Sequence, residues 1–295
     1  MKRPGSWGVG LGVALAIAGG ADTRAQQPVF RSGIDVVSID VSVMNGNSAV
    51  SGLTIDKFVV TDNGVPQTLH SISLDKVPLS LMLVLDTSGS LEGERLQRLI
   101  EATTDLVRAL KPEDAAALLQ FSEPIRLAVP MTANRAPLLE AISRLEAKGA
   151  TTLNDAIFFG LQLRPMDAAA SRPVVLVFSD GHDTSSWLSD DQVLEATRRS
   201  GAIVHVVELV PDLYSRQSPF LARLADAAGG RRWLAASPNG LRNLFGRVLD
   251  ELRARYLLTY YPKGVTTEGW HDVKVTLKGA RGEVTARPGY FVPPR

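Results

Sequence analysis

Short apolar runs alternate with amphipathic segments between residues 78 and 252, and this alternation constrains the fold more than any other feature. The runs LSLMLVL (79–85), VVLVFS (174–179) and AIVHVVEL (202–209) are mostly apolar, so each predicts a strand buried on both faces. The segments between them have helical periodicity, with their apolar residues on one side. Buried strands that alternate with helices predict a doubly wound, mostly parallel sheet with helices on both faces.

The two ends of the chain have the pattern of half-buried strands instead. Apolar and polar residues alternate over 37–43 near one end and over 273–277 near the other. Each end has only about 40 residues, which is too few for an independent core. We therefore expect one β-sandwich built from both ends, with the α/β domain between them. Two separate hairpins packed on the α/β domain are the alternative.

The first 25 residues have the features of a signal peptide. Lys2 and Arg3 precede the uncharged stretch Gly8 to Gly20, and Thr23-Arg24-Ala25 supplies small residues for a signal peptidase. The apolar stretch is shorter than the roughly 20 residues of a membrane span, so we expect cleavage after Ala25 rather than an uncleaved anchor. We expect a mature chain without a transmembrane segment, exported to the periplasm or the cell exterior. The predicted organisation is a signal peptide (1–25), a β-rich segment (26–77), an α/β domain (78–253) and a second β-rich segment (254–295).

Composition excludes several kinds of site and partner. The chain has no cysteine, so disulfides, thiolate metal sites and cysteine nucleophiles are excluded. Its formal net charge of +1 offers no electrostatic basis for binding nucleic acid.

Three polar loops are expected at one edge of the parallel sheet. They read VLDTSGSL (84–91), KGATTLND (148–155) and FSDGHD (178–183). In an open parallel sheet, ligands bind beyond the carboxyl ends of the strands, at the point where strand order reverses. Hard oxygen donors suit Mg²⁺, Mn²⁺ or Ca²⁺, whereas zinc usually takes imidazole or thiolate. The candidate metal ligands are Asp86, Ser88, Ser90, Thr151 and Asp180, with Thr152 as the alternative to Thr151.

This constellation resembles the metal-ion-dependent adhesion site (MIDAS) of von Willebrand factor A domains. That family has the pattern Asp-x-Ser-x-Ser, then a Thr and then a second Asp, and all five positions are filled here over about residues 78–250. The resemblance implies a Rossmann-like fold and a divalent cation, Mg²⁺ before Mn²⁺ or Ca²⁺. It also implies a protein or surface partner whose Asp or Glu carboxylate completes the coordination shell, with Asp180 acting through water. The strand-rich ends resemble exported bacterial proteins of an acidobacterial type.

In such relatives, partner binding shifts the last helix of the domain. Here that helix, near 239–253, leads directly into the strand YLLTYY. We therefore expect metal binding to cause a structural change in the sandwich.

Other functions compete with cation-dependent adhesion. A metal-dependent hydrolase would use the same site with His182 as base, and a metal-free interaction module would use DTSGS only as a turn and helix cap. We do not expect an enzyme, because the sequence has no phosphate-cradling glycine loop and no convincing catalytic constellation. Trp187 is either a contact anchor or a cap on the local core. His205 is expected in the core, and Arg231-Arg232 at a solvated element end.

Overall fold

The computed structural model describes residues 36–74, 77–163, 171–210, 217–265 and 268–293, and the predicted signal peptide lies outside these ranges. The first segment forms strands β1 (Val37–Asn45), β2 (Ser48–Ala49), β3 (Phe58–Asp62), β4 (Val65–Gln67) and β5 (Leu69–Leu74). The middle segment forms strands β6 (Leu79–Asp86), β7 (Ala115–Phe121), β8 (Arg126–Thr132), β9 (Arg172–Ser179), β10 (Ile203–Leu209) and β11 (Arg232–Ala235). Its helices are α1 (Glu94–Ala109), α2 (Arg135–Ser143), α3 (Leu153–Gln162), α4 (Asp190–Ser200), α5 (Pro219–Ala227) and α6 (Leu241–Arg253). The last segment forms strands β12 (Tyr256–Tyr260), β13 (Gly269–Leu277), β14 (Glu283–Ala286) and β15 (Gly289–Val292).

The middle segment builds a six-stranded sheet in the order β11-β10-β9-β6-β7-β8. Every neighbouring pair is parallel except β7 and β8, which are antiparallel. The chain passes from β6 to β7 and β8 on one side and then forms β9, β10 and β11 on the other. Strand order therefore reverses between β6 and β9. The prediction of a doubly wound, mostly parallel sheet is confirmed.

The alternating side chains of β6 point into two separate cores. Leu81, Leu83 and Leu85 pack in the core that is covered by α1, α2 and α6. Met82 and Val84 pack in the core on the opposite face, under α3, α4 and α5. Burial on both faces explains why this strand reads as an almost continuous apolar run.

The sandwich is shared between the two ends of the chain. One sheet has the order β14-β1-β12-β5, with β2 paired to β1, and the other has the order β15-β13-β3-β4. Strand β1 pairs with β12, and β3 pairs with β13, so each sheet joins the first segment to the last. The predicted shared sandwich is confirmed, and the alternative of two separate hairpins is wrong. The domain boundaries drawn from the sequence stay predictions.

Strands β8 and β11 were not expected. Strand β8 is an edge strand and contains Pro130, which a central strand would not tolerate. At β11 the expected solvation of Arg232 is wrong, because its Nη1 lies 3.0 Å from Oε2 of Glu208, whose side chain is 1% exposed. A buried carboxylate requires such a partner. None of the α-helices in the described ranges combines the length and the apolarity that crossing a membrane requires.

Candidate metal centre

Two adjacent parallel strands deliver the two candidate carboxylates to the same edge of the sheet. Strand β6 ends at Asp86, and β9 ends at Ser179, directly before Asp180. The pairing of Leu85 with Phe178 sets these ends side by side. This edge is where strand order reverses, which is the position expected for a ligand site.

The loop after β6 connects its polar side chains to Asp180. Asp86 Oδ1 accepts a hydrogen bond from the Ser88 backbone N–H at 2.9 Å. The hydroxyl oxygens of Ser88 and Ser90 lie 3.1 Å apart, and Ser90 Oγ donates to Asp180 Oδ2 at 2.7 Å. Four of the five predicted ligands are thus gathered in one cluster.

The loop that carries Thr151 is joined to both of the other loops. The Gly89 N–H donates to the Gly149 carbonyl at 3.1 Å, and the N–H groups of Thr184 and Ser185 donate to the Thr151 carbonyl, both at 3.0 Å. Gly149 has a φ of +78°, and a Cβ there would lie 3.3 Å from the Glu123 carbonyl oxygen, so the turn requires glycine.

The alternative residue Thr152 has another role. Its hydroxyl donates to the Ser122 carbonyl at 2.5 Å and so faces a different loop. Thr151 stays the predicted fourth ligand.

The carboxylate of Asp86 is buried, and burial destabilises its charged form. It is 0% exposed. Burial raises the pKa of its carboxyl to about 6; hydrogen bonds from Ser88 and Ser179 oppose this rise, and the charge of Asp180 adds to it. Within the described ranges no basic side chain forms an ion pair with Asp86. Buried charges in proteins are normally paired with an opposite charge or bound to a metal.

The donor set fits a hard divalent cation. It consists of two carboxylates and up to three hydroxyls, all of them oxygen donors. Among the described residues, no three His, Cys, Asp or Glu side chains are grouped as a metal cluster. A cation held here would therefore depend on serine and threonine oxygens in addition to the carboxylates.

Ser179 is a further residue of the centre, and its role was not predicted from the sequence. Its hydroxyl donates to Asp86 Oδ2 at 2.7 Å and accepts the Gly181 N–H at 3.1 Å, and the residue is fully buried. It therefore orients the Asp86 carboxylate and the loop that carries Asp180. A polar residue at the last position of an otherwise apolar strand was the available signal.

The structure also gives the exposure and contacts of three other residues that the sequence singled out. The side chain of His182 is 79% exposed, and its Nδ1 lies 3.5 Å from Asp180 Oδ1. Trp187 is 94% exposed, so the interpretation that it caps the local core is wrong. His205 is fully buried, as expected, and its Nε2 lies 2.9 Å from Glu251 Oε2.

Comparison with known proteins shows which family the middle segment resembles. Residues 81–182 match the family model of the von Willebrand factor type A domain, and this range includes all five predicted ligands. Over this range the chain is similar to von Willebrand factor type A domains, and we call residues 78–253 the A domain. An uncharacterised Synechocystis protein is 32% identical to the chain over 89 residues, which are 30% of this chain and 21% of that one.

Two solved structures share the fold of the A domain. A von Willebrand factor type A protein from Catenulispora acidiphila has a TM-score of 0.52 and 14% identity, covering 86% of this chain and 72% of its own. Proximal thread matrix protein 1 from the mussel byssus, described with a zinc-occupied MIDAS motif, has a TM-score of 0.53 and 15% identity. The match covers 65% of this chain and 49% of the mussel chain. The chain spans about a fifth of the length of the curated relatives that it matches, 21%, 18% and 24% for three of them.

Proposed function

We propose that the A domain binds a partner through a divalent cation. The protein ligands of this cation are Asp86, Ser88, Ser90, Thr151 and Asp180. The main support is the Asp86 carboxylate, which is buried at the switch-point edge without a basic partner among the described residues. It lies in one hydrogen-bonded cluster with Ser88, Ser90 and Asp180.

The proposed ligand set suits recognition of an anionic group. Serine and threonine hydroxyls bind a cation without adding negative charge, so two carboxylates leave a divalent ion able to attract one more anionic oxygen. When bound, the cation would supply that attraction for an Asp or Glu carboxylate of a protein or surface partner. We propose Mg²⁺ before Mn²⁺ or Ca²⁺. Zinc belongs in the same test because the mussel protein is described with zinc in its MIDAS motif.

We propose binding rather than hydrolysis at this site. His182, the residue considered as a base, is largely in solvent and lies beside Asp180. A general base must reach the proton that it removes, and it works best when solvent is excluded. We also propose export of the mature chain, which is supported by the basic start and apolar stretch of the first 25 residues.

Calorimetric titration of the chain with each cation tests the site. Wild type should bind Mg²⁺ saturably, and Asp86→Asn should lose this binding, because the substitution removes the buried charge but keeps the side-chain shape. The control is Asp191→Asn, which neutralises a carboxylate that is 89% exposed on α4 and should leave binding unchanged.

Thermal unfolding of the same proteins separates lost binding from lost folding. Excess Mg²⁺ should stabilise wild type and Asp191→Asn by about 2–3 kcal/mol at a hundredfold excess over the dissociation constant, and should leave Asp86→Asn unaffected. Failure of every cation to bind wild type, or equal binding by Asp86→Asn, would exclude the proposed site.

A further inference from the structure

Trp187 has the most exposed large apolar side chain of the described residues, at 94%. Phe159 and Leu163 are also largely in solvent, at 49% and 42%. Single exposed apolar residues are ordinary on protein surfaces, but a contiguous group of them indicates an interaction site.

These three residues form one stripe, which we call the α3 stripe. The Trp187 backbone N–H donates to Asp155 Oδ2 at 3.0 Å, so Trp187 lies against the first turn of α3. Phe159 and Leu163 follow Asp155 at four and eight residues, on the same face of the helix. At 1.5 Å per residue, the stripe extends about 12 Å along α3 from Asp155.

The loop that presents Trp187 is held in place without burial of the indole. The Asp183 carboxylate accepts the N–H groups of Asn154, Ser185 and Ser186 at 2.8, 3.2 and 3.0 Å. The Asn154 side chain donates to the Leu188 carbonyl at 3.0 Å. An indole on a loop that is already ordered offers a large contact area without a further ordering cost on binding.

The α3 stripe begins beside the metal centre. The amides of Thr184 and Ser185 bond directly to the Thr151 carbonyl. Trp187 follows Ser185 by two positions, a separation of at most about 7 Å along the chain. A single partner segment can therefore contact the cation and the indole together.

We propose that the α3 stripe is the second half of the partner site. The partner is a polypeptide segment with an Asp or Glu for the cation and, a few residues away, an aromatic or long aliphatic side chain for Trp187 and Phe159. A stripe of about 12 Å matches roughly four residues of extended chain. This inference rests on the proposed function of the metal centre.

The surroundings of the stripe favour a polypeptide over other occupants. Arg223 is paired with Asp190 and Asp191 at the start of α4, so this basic side chain is not free to attract an anionic lipid surface. The carboxylates of Asp155 and Asp183 are engaged by backbone amides, so they are poor acceptors for sugar hydroxyls.

A phage-displayed library of random peptides of about ten residues, selected on the full chain in Mg²⁺, tests the proposal. The expected peptides combine an acidic residue with an apolar one a few positions away, and EDTA should release them. Trp187→Ser and Phe159→Ser should each weaken a selected synthetic peptide about tenfold. Calorimetric Mg²⁺ binding should stay at the wild-type level in both variants. The matched control is Phe291→Ser, on β15, where the ring is 40% exposed, and it should bind the peptide like wild type.

The outcomes separate this inference from the function on which it rests. Absence of Mg²⁺ binding by wild type would overturn the metal centre itself. If wild type binds Mg²⁺ normally, three results would overturn the α3 stripe alone. These are a library that yields no Mg²⁺-dependent binder, selected peptides that lack the apolar residue, and peptides that bind Trp187→Ser as they bind wild type. Trp187-dependent dimerisation, or Trp187-dependent sedimentation with phosphatidylglycerol vesicles in EDTA, would also overturn it in favour of another occupant.

Discussion

At the scale of single residues, the candidate centre depends on a serine that is not itself a predicted ligand. Ser179 holds Asp86 Oδ2 through a hydrogen bond of 2.7 Å, and this bond orients the carboxylate and offsets part of the cost of burying it. Groups that orient metal ligands in this way commonly change metal affinity by about 10–100-fold when they are removed.

Ser179→Ala should weaken Mg²⁺ binding roughly tenfold or more without abolishing it, and should lower the free energy of unfolding by about 1–3 kcal/mol. Calorimetry and urea unfolding measure the two effects. The control is Ser143→Ala, because that exposed hydroxyl donates locally to the Glu140 carbonyl at the end of α2. Unchanged affinity in Ser179→Ala would show that Asp86 does not need this support.

Gly230 is a residue-scale constraint of a different kind. A Cβ at this position would overlap the Val204 carbonyl of β10, which is rigid backbone. Gly230→Ala should therefore destabilise the protein by several kcal/mol, about 3 or more, since the sheet must shift. Gly246→Ala is the matched control, because nothing lies within 4 Å of a Cβ there and the residue is inside α6. Urea unfolding should show Gly246→Ala about 0.5–1 kcal/mol more stable than wild type. Similar stabilities for the two variants would contradict the predicted overlap.

At the scale of elements, the end of α6 is held by buried charges. Glu251 lies 2.8 Å from Arg255 and 2.9 Å from His205, and all three side chains are fully buried. Arg255 also donates to the Gly229 carbonyl at 2.7 Å, and Arg172 donates to the Leu252 carbonyl at 3.0 Å. The shift of α6 on partner binding stays a prediction, and such a shift would have to move or break these contacts. Deuterium exchange over 255–261, with and without Mg²⁺ and a selected peptide, tests it.

Glu251→Gln should destabilise the protein at pH 7 by about 3–5 kcal/mol, because it leaves Arg255 without its buried counter-charge. Burial alone raises the pKa of Glu251, but Arg255 and then His205 outweigh it, so the net pKa lies well below the usual value. A lowered folded-state pKa stabilises the fold above the unfolded-state value of about 4.3, and this contribution is lost as the pH falls toward the folded-state pKa.

The stability difference between wild type and Glu251→Gln should therefore narrow as the pH falls below about 4.3. Urea unfolding across a pH series measures it. Glu195→Gln, at an exposed position on α4, is the control and should follow wild type throughout. A difference that stays constant with pH would contradict the role assigned to the Glu251 charge.

At the scale of the whole molecule, the sandwich ties the two ends of the chain together. Val41 of β1 pairs with Tyr256 of β12, and Val60 of β3 pairs with Val275 of β13. The A domain is inserted between the strands that form these pairs. Neither end can complete its sheets alone, so folding of the sandwich depends on contacts that close over the entire domain.

Removal of residues 254–295 should expose the apolar faces of β1 and β3, including Ile39, Phe58 and Val60, which are at most 5% exposed in the intact chain. The truncated protein should bind a hydrophobic dye, self-associate in sedimentation and unfold at a lower temperature. Removal of residues 293–295 only, beyond β15, should change none of these properties. A truncated protein that stays monomeric and does not bind dye would contradict the shared sandwich.

Much of this protein is determined locally by its sequence. The apolar runs specify β6 and β9 because burial on both faces requires apolar residues at every position. Helix α4 begins at a Ser189 capping box and ends at Gly201 in the left-handed conformation, as the local residue types predict. The convergence of the three polar loops follows from parallel topology, since the carboxyl ends of parallel strands share one edge.

Only the tertiary structure decided the remaining features. The bond from Ser179 to Asp86, the pairing of Arg232 with Glu208 and the exposure of Trp187 each depend on which distant residues become neighbours. Sequence periodicity reports the direction in which a side chain points but not what it meets there. For a polar or aromatic side chain, the partner that it meets sets the free energy of burial, and only the folded packing of the whole chain supplies that partner.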